Sequence, residues 1–349
     1  MAEKRFDLLI QENVALAPLT TLKVGGAARF FVSAKTETEV IEASRWAQKE
    51  ELPLFILGGG SNVLIADRGW NGLVLHIALK GIDAFNSIVN AQAGEDWDDF
   101  VGFCVDQDLQ GIECLSGIPG TVGGTPVQNV GAYGQDISET IDKVRVYDLP
   151  SNRILLLNKA ECEFSYRTSI FNSTHKDRFV VLAVTFKLKR GAAPKIVYQE
   201  LREVFGQRIP GLAETRHAVC RIRAEKAMLV RQGGLDSQSV GSFFKNPIVT
   251  NEKFEEMSEK FGAKIPSFKM DNDSVKVPAA WLIEKAGFPK GFTKGNAGLS
   301  TRHTLALTNR GHATAKELIA LKDEIQTSVK EKFELELKPE PVFIGFAEI

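Results

Sequence analysis

The amino-acid sequence predicts an α+β protein in three parts, and three observations carry that expectation. A capped amphipathic helix leads into a short apolar strand and then into the glycine loop Gly58, Gly59, Gly60, Ser61, Asn62. A longer glycine-rich run, GIPGTVGGTPVQNVGAYG, fills Gly117 to Gly134 within a middle region of short strands. Beyond Arg190 helical patterns dominate, until the last residues return to strand.

The elements follow in order. Thr36 and Glu39 form a capping box for a helix through Val40, Ala43 and Ala47 that ends near Glu50. LPLFIL, from Leu52 to Leu57, is apolar throughout and reads as a buried strand, and VLIA and LVLHI give two more. Between Gly81 and Lys189 come a helical stretch from Asp98 to Gln107 and the strands VRVYD and FVVLAVTFKLK. Helices are expected at Val197 to Phe205, Glu252 to Phe261, and Pro278 to Ala286, the last stopped by Gly287. A final helix opens at the capping box Thr314 to Glu317 and presents Leu318, Leu321, Ile325 and Val329 on one face, before the strand VFIGF. The parts are drawn at residues 1–78, to which 341–349 return, then 79–222 and 223–340.

Composition excludes several classes. The chain has 349 residues, 44% hydrophobic and 25% charged, with a formal net charge of -1. Its Lys and Arg are dispersed, which speaks against nucleic acid or an acidic membrane as partner. Cys104, Cys114, Cys162 and Cys220 contain no C-x-x-C pair, and the histidines never fall at metal-ligand spacing, so no metal is expected. Charges stand where a signal peptide needs an apolar run, and no stretch approaches eighteen apolar residues, which points to a cytoplasmic protein. Neither glycine segment matches the dinucleotide fingerprint G-x-G-x-x-G or a P-loop, and Val63 stands where a nucleophile elbow needs its second glycine.

The long glycine run reads as a buried cofactor cradle. Glycines 117, 120, 123, 124, 131 and 134 alternate with Ile118, Val122, Val127, Val130 and Ala132, where a surface loop would carry Ser, Asp and Lys. Backbone N–H groups in such a run can be laid against a bulky anion, because no Cβ holds it off. The second half of the run adds Gln128, Asn129 and Tyr133, which can hydrogen-bond or stack.

Taken together, GGGSN and SGIPGTVGGTPVQNVGAYG resemble the FAD-binding region of the superfamily that includes vanillyl-alcohol oxidase. That resemblance implies a two-part FAD domain contacted by Gly58, Gly59, Gly60, Ser61, Asn62, Gly117, Ile118, Pro119, Gly120, Gly123, Gly124, Gln128, Asn129, Gly131, Ala132 and Tyr133. Ser61 and Asn62 occupy the loop where covalent oxidases commonly carry histidine, so FAD is expected without a covalent link.

Three further motifs, CEFSYRTSIF at Cys162 to Phe171, GSFFKNP at Gly241 to Pro247 and KPEPVFIG at Lys338 to Gly345, are similar in order and spacing to the UDP-N-acetylenolpyruvoylglucosamine reductase family. The resemblance implies an oxidoreductase of peptidoglycan precursor synthesis, and so of cell-wall biogenesis, cell shape and division. Such an enzyme reduces UDP-N-acetylglucosamine enolpyruvate to UDP-N-acetylmuramate with NADPH as co-substrate. Hydride passes from flavin N5 to the enol ether, Ser242 supplies the proton, and Arg167 and Glu340 polarise the carboxylate. A carboxylate beside a carboxylate helps only when it carries or shares a proton. Tyr166, Tyr198, Lys226, Asn246 and His303 fall where the family contacts the UDP-sugar or the nicotinamide phosphate, with Tyr198 in the subtype whose tyrosine loop closes over the nucleotide. The segment after Lys226 departs from the family in lacking a proline. NADPH and the sugar are expected to use one cleft in turn, on a monomer. An FAD-dependent oxidase of the same superfamily is the alternative.

Overall fold

The computed structural model describes residues 8–230, 234–262, 264–270 and 273–346. The chain divides into two compact units. The first holds residues 8–15, Ala27–Gly60 and Trp70–Ala224; the second holds Leu16–Gly26, Ser61–Gly69 and the described residues from Glu225 onward. The two portions expected to hold FAD thus contribute mainly to one unit, while the segment Ser61–Gly69 belongs to the other.

In the first unit, strands Gln11–Ala15, Ala27–Ala34, Trp70–Ile77 and Leu54–Leu57 lie side by side in that order. Leu54–Leu57 and Ala27–Ala34 both run parallel to Trp70–Ile77. Helix Glu37–Lys49 joins two of them and buries Val40, Ala43 and Ala47, the stripe expected from its spacing. Its capping box is formed as read, with Thr36 Oγ1 accepting from the Glu39 N–H and the Glu39 carboxylate accepting from the Thr36 N–H. One expectation is corrected here: Leu54, Phe55 and Ile56 are only half-buried, because their strand is the edge of its sheet.

A five-stranded antiparallel sheet completes this unit, in the order Arg153–Asn158, Ile141–Asp148, Phe179–Lys187, Ile88–Gln92, Ile82–Phe85. Helix Trp97–Asp106 packs Trp97 and Phe100 against Phe186, with ring centroids 4.9 to 6.1 Å apart. Burying each such ring is worth about 1.5–3 kcal/mol, so this cluster is a main anchor for the glycine run that follows the helix. A 14-residue helix, Leu212–Glu225, lies where the sequence pattern predicts no particular element.

The second unit is built around helix Ala315–Phe333, whose buried face includes the expected Leu318, Leu321, Ile325 and Val329. Its capping box is present, and Asp67 adds a second cap by accepting from the N–H groups of Ala315 at 2.8 Å and Lys316 at 3.0 Å. Asp67 follows strand Val63–Ile65, which pairs in parallel with the last strand, Val342–Ile344. Helices Asn251–Phe261 and Ala279–Lys285 and two small three-stranded sheets fill the rest.

Candidate active site

In the first unit the two glycine segments meet backbone to backbone. A Cβ placed on Gly59 would lie 2.7 Å from Gly120 Cα, and one on Gly58 would lie 2.9 Å from Thr121 Oγ1. Nothing larger than glycine allows this approach, so the two loops face one another as a single surface. The long run is also stitched to its supports: Trp97 N–H donates to Gly120 O at 3.1 Å, and Gly123 N–H to Ala93 O at 2.9 Å. By contrast, the N–H groups of Gly59, Gly60, Ile118 and Gly120 make no hydrogen bond among the described residues, although Gly60 is buried. Donors left unpaired in a glycine-lined cradle fit a dinucleotide pyrophosphate or a flat heteroaromatic ring.

The SYR segment lies against the second half of this run. Asn129 Nδ2 donates to Ser165 O at 2.9 Å, and Ser169 Oγ to Val127 O at 2.5 Å. Arg167 donates through Nη1 to Asn129 O at 3.3 Å and through Nη2 to Gly131 O at 2.5 Å, with its guanidinium 5.6 Å from the Tyr166 ring centre. Asn129, Tyr133 and Arg167 all take positive φ, at 45°, 48° and 54°. Left-handed backbone at a non-glycine residue costs about 1–2 kcal/mol, and strain of this kind gathers at functional sites. Tyr133 and Tyr198 meet edge to face at 5.2 Å; burial pushes the Tyr133 hydroxyl up to about 12 and also raises that of Tyr198. Gln128 is half-buried, as are Ile118, Pro119 and Ala132, whereas Gly124 is exposed.

The sequence reading missed three charged residues beneath this run. Asp98, on helix Trp97–Asp106, accepts from the Gly117 N–H at 2.6 Å and from Arg216 Nη1 at 2.5 Å. Arg223 Nε donates to Gly117 O at 3.1 Å, and its guanidinium also bonds Tyr133. The only signal for Arg216 and Arg223 was the spacing of Leu212, Val219 and Ile222, diluted by the charges around them.

In the second unit, residues far apart in sequence converge. Phe243 N–H donates to Leu305 O at 2.9 Å, Lys245 N–H to Lys338 O at 2.8 Å, and Glu340 N–H to Phe243 O at 2.9 Å. Ser242 and Glu340 therefore sit on neighbouring backbones. Asn62 joins them: its Nδ2 donates to Glu340 O at 3.3 Å, and its carbonyl accepts from the Val342 N–H at 3.0 Å. Ser61 precedes it, half-buried. Phe243 and Phe244 are fully buried, while Ser242 is half-buried and its hydroxyl makes no hydrogen bond among the described residues. That leaves a hydroxyl beside a hydrogen-bonded backbone.

The remaining expected contacts lie in the same unit, with Tyr166 and Tyr198 in the first. Asn246 Oδ1 accepts from the Ala279 N–H at 2.8 Å, which caps helix Ala279–Lys285 and orients its carboxamide. His303 Nδ1 accepts from the Leu305 N–H at 3.1 Å. Burial, with Lys226 and Lys290 nearby, pushes His303 down to about 4, so at neutral pH its one proton is on Nε2. Among the described residues no group of three or more His, Cys, Asp or Glu could hold a metal ion, and no helix is long and apolar enough to cross a membrane.

The sequence and the fold match known proteins. Residues 28–157 match the model of an FAD binding domain, and residues 233–344 match that of the UDP-N-acetylenolpyruvoylglucosamine reductase C-terminal domain. The UDP-N-acetylenolpyruvoylglucosamine reductase of Streptomyces coelicolor is 45% identical over 347 residues, covering 96% of this chain and 90% of its own. The chain belongs to the UDP-N-acetylenolpyruvoylglucosamine reductase family. Its relative in Thermobifida fusca is likewise 45% identical, across 95% of this chain and 97% of its own. The crystal structure of UDP-N-acetylenolpyruvylglucosamine reductase from Thermus caldophilus matches with a TM-score of 0.67 at 25% identity, covering 97% of this chain and 99% of that one. Family membership thus extends over both units, and covers the glycine cradle and the Ser242–Glu340 pair alike.

Proposed function

We propose that this reductase family member converts UDP-N-acetylglucosamine enolpyruvate to UDP-N-acetylmuramate with NADPH and FAD. The observation that carries the reading is the backbone pairing of the Ser242 and Glu340 segments, in a chain that also carries the glycine cradle. The unpaired N–H groups of Gly59, Gly60, Ile118 and Gly120 would hold FAD, which would supply the route by which a hydride from NADPH reaches the terminal carbon of the enol ether.

The protein's own residues handle the charge that follows. Hydride addition leaves an electron pair on the carbon next to the carboxylate, delocalised into it as an enolate. Ser242 gives its hydroxyl proton to that carbon, which closes the new C–H bond. Serine serves as acid here because an enolate is far more basic than a carboxylate. By the family motifs that the chain carries, the roles of polarising the substrate carboxylate are assigned to Arg167, through its planar guanidinium, and to Glu340, and such hydrogen bonds strengthen as charge builds. In the second unit, His303, through Nε2–H, with Lys226 and Asn246, is assigned to the nucleotide-sugar.

A steady-state assay tests the reading. NADPH consumption should depend on the enolpyruvyl sugar, with a product heavier by two hydrogens in the mass spectrum. Consumption that depends on O₂ and ignores the sugar would place the chain with the superfamily's oxidases.

A further inference from the structure

Helix Leu212–Glu225 reaches the cradle through one buried side chain. Arg223 is 8% exposed, donates from Nε to Gly117 O at 3.1 Å, and bonds Tyr133. On the other side of the same residue, Asp98, also 8% exposed, accepts from the Gly117 N–H at 2.6 Å while paired with Arg216. Gly117 is therefore gripped by opposite charges at its N–H and its C=O, with φ at 71°. Burying charges in this way is costly unless they are paired and hydrogen-bonded, so both need a purpose beyond packing.

The geometry of a trans peptide supplies one. The C=O of Gly117 and the N–H of Ile118 belong to a single planar unit and point in opposite directions. By drawing Gly117 O toward itself, Arg223 turns the Ile118 N–H away from helix Leu212–Glu225, and that N–H is one of those with no hydrogen bond among the described residues. We infer that Arg223 and Asp98 are positioning residues that clamp the Gly117 peptide groups and so aim the Ile118 N–H at the flavin. The inference rests on the reading that this cradle holds FAD. Tyr133 belongs to the device because its hydroxyl is the second partner of Arg223, and its ring is braced by Tyr198.

The test is FAD affinity, measured by flavin fluorescence on apoprotein reconstituted from the full chain, together with the visible spectrum and the melting temperature. Arg223→Lys keeps the charge but loses the planar fork, and FAD should bind about 10- to 100-fold more weakly, the value of a charge-assisted hydrogen bond. The flavin bands should shift as well, a signature that general loosening of the fold would not give. Asp98→Asn retains an acceptor for Gly117, so its loss should be smaller than that of Asp98→Ala. Tyr133→Phe leaves the ring and serves if Arg223→Lys does not fold; it should weaken FAD by several-fold. Native affinity and spectrum in Arg223→Lys or Tyr133→Phe, or equal effects of the two Asp98 substitutions, would overturn the clamp. Failure of the wild-type protein to bind FAD would instead overturn the proposed function.

Discussion

Gly59→Ala is the substitution whose effect follows most directly from the geometry. The new methyl would sit 2.7 Å from Gly120 Cα, 2.9 Å from its carbonyl carbon and 3.3 Å from Thr121 N. Comfortable carbon–carbon contact is about 3.5–4.0 Å, so the two loops must part by about 1 Å, and the atoms in the way are main chain with no rotamer to change. Overpacking of this kind costs about 1–3 kcal/mol. If the strain is relieved by parting the loops, it falls on the cradle, and FAD affinity should drop between about fivefold and about 150-fold. Gly102→Ala is the control: it lies inside helix Trp97–Asp106, its methyl would come no nearer than 3.5 Å to another group, and it should raise stability by up to about 1 kcal/mol. Flavin fluorescence titration and thermal melts of both variants decide the matter. Native FAD affinity and melting temperature in Gly59→Ala would refute the claim that the loops must touch.

Further expectations concern single groups. Glu340→Ala, which removes the donor, should leave flavin bleaching by NADPH intact and slow enolpyruvate reduction by about 10²- to 10³-fold, as read in single-turnover absorbance traces; unchanged reduction would remove Glu340 from the mechanism. Thr314→Ala removes the acceptor of the Glu317 N–H at 3.1 Å and should cost about 1 kcal/mol in urea melts. The His303 imidazole, held at about 4 against an ordinary 6.5, binds fewer protons folded than unfolded between those values. Its share of stability is therefore complete above pH 6.5 and is lost as pH falls toward 4, a slope that His303→Gln should flatten. A proton NMR titration of His303 with a midpoint near 6.5 would contradict its burial.

What could be read from sequence was whatever is local. The capping boxes at Thr36 and Thr314 declare themselves within four residues, and the apolar stripe after Thr314 repeats for nineteen residues without interruption, so both helices stand where expected. Helix Leu212–Glu225 was invisible because its buried face includes Thr215 and Arg223 beside the apolar residues, which blurs the period. Strand Leu54–Leu57 is as apolar as a central strand, yet it forms an edge, since pairing order depends on Trp70–Ile77 lying between it and Ala27–Ala34. For the site, the glycine runs and the GSFF and PEP motifs were legible as motifs. Their juxtaposition was not: the bond from Glu340 N–H to Phe243 O joins residues that no local pattern connects. Asp98 and Arg223 were hidden for the same reason, as each finds its partner only through the fold.

An anaerobic half-reaction experiment tests the account at its centre, the assignment of proton delivery to Ser242. Purified wild-type protein and Ser242→Ala are each mixed with one equivalent of NADPH and then with UDP-N-acetylglucosamine enolpyruvate, while the flavin bands are followed. In the wild type the bands should bleach and then return; in Ser242→Ala they should bleach at the native rate and return about 10²- to 10⁴-fold more slowly. Return at the native rate in Ser242→Ala, or equal slowing of both steps, would contradict the assignment.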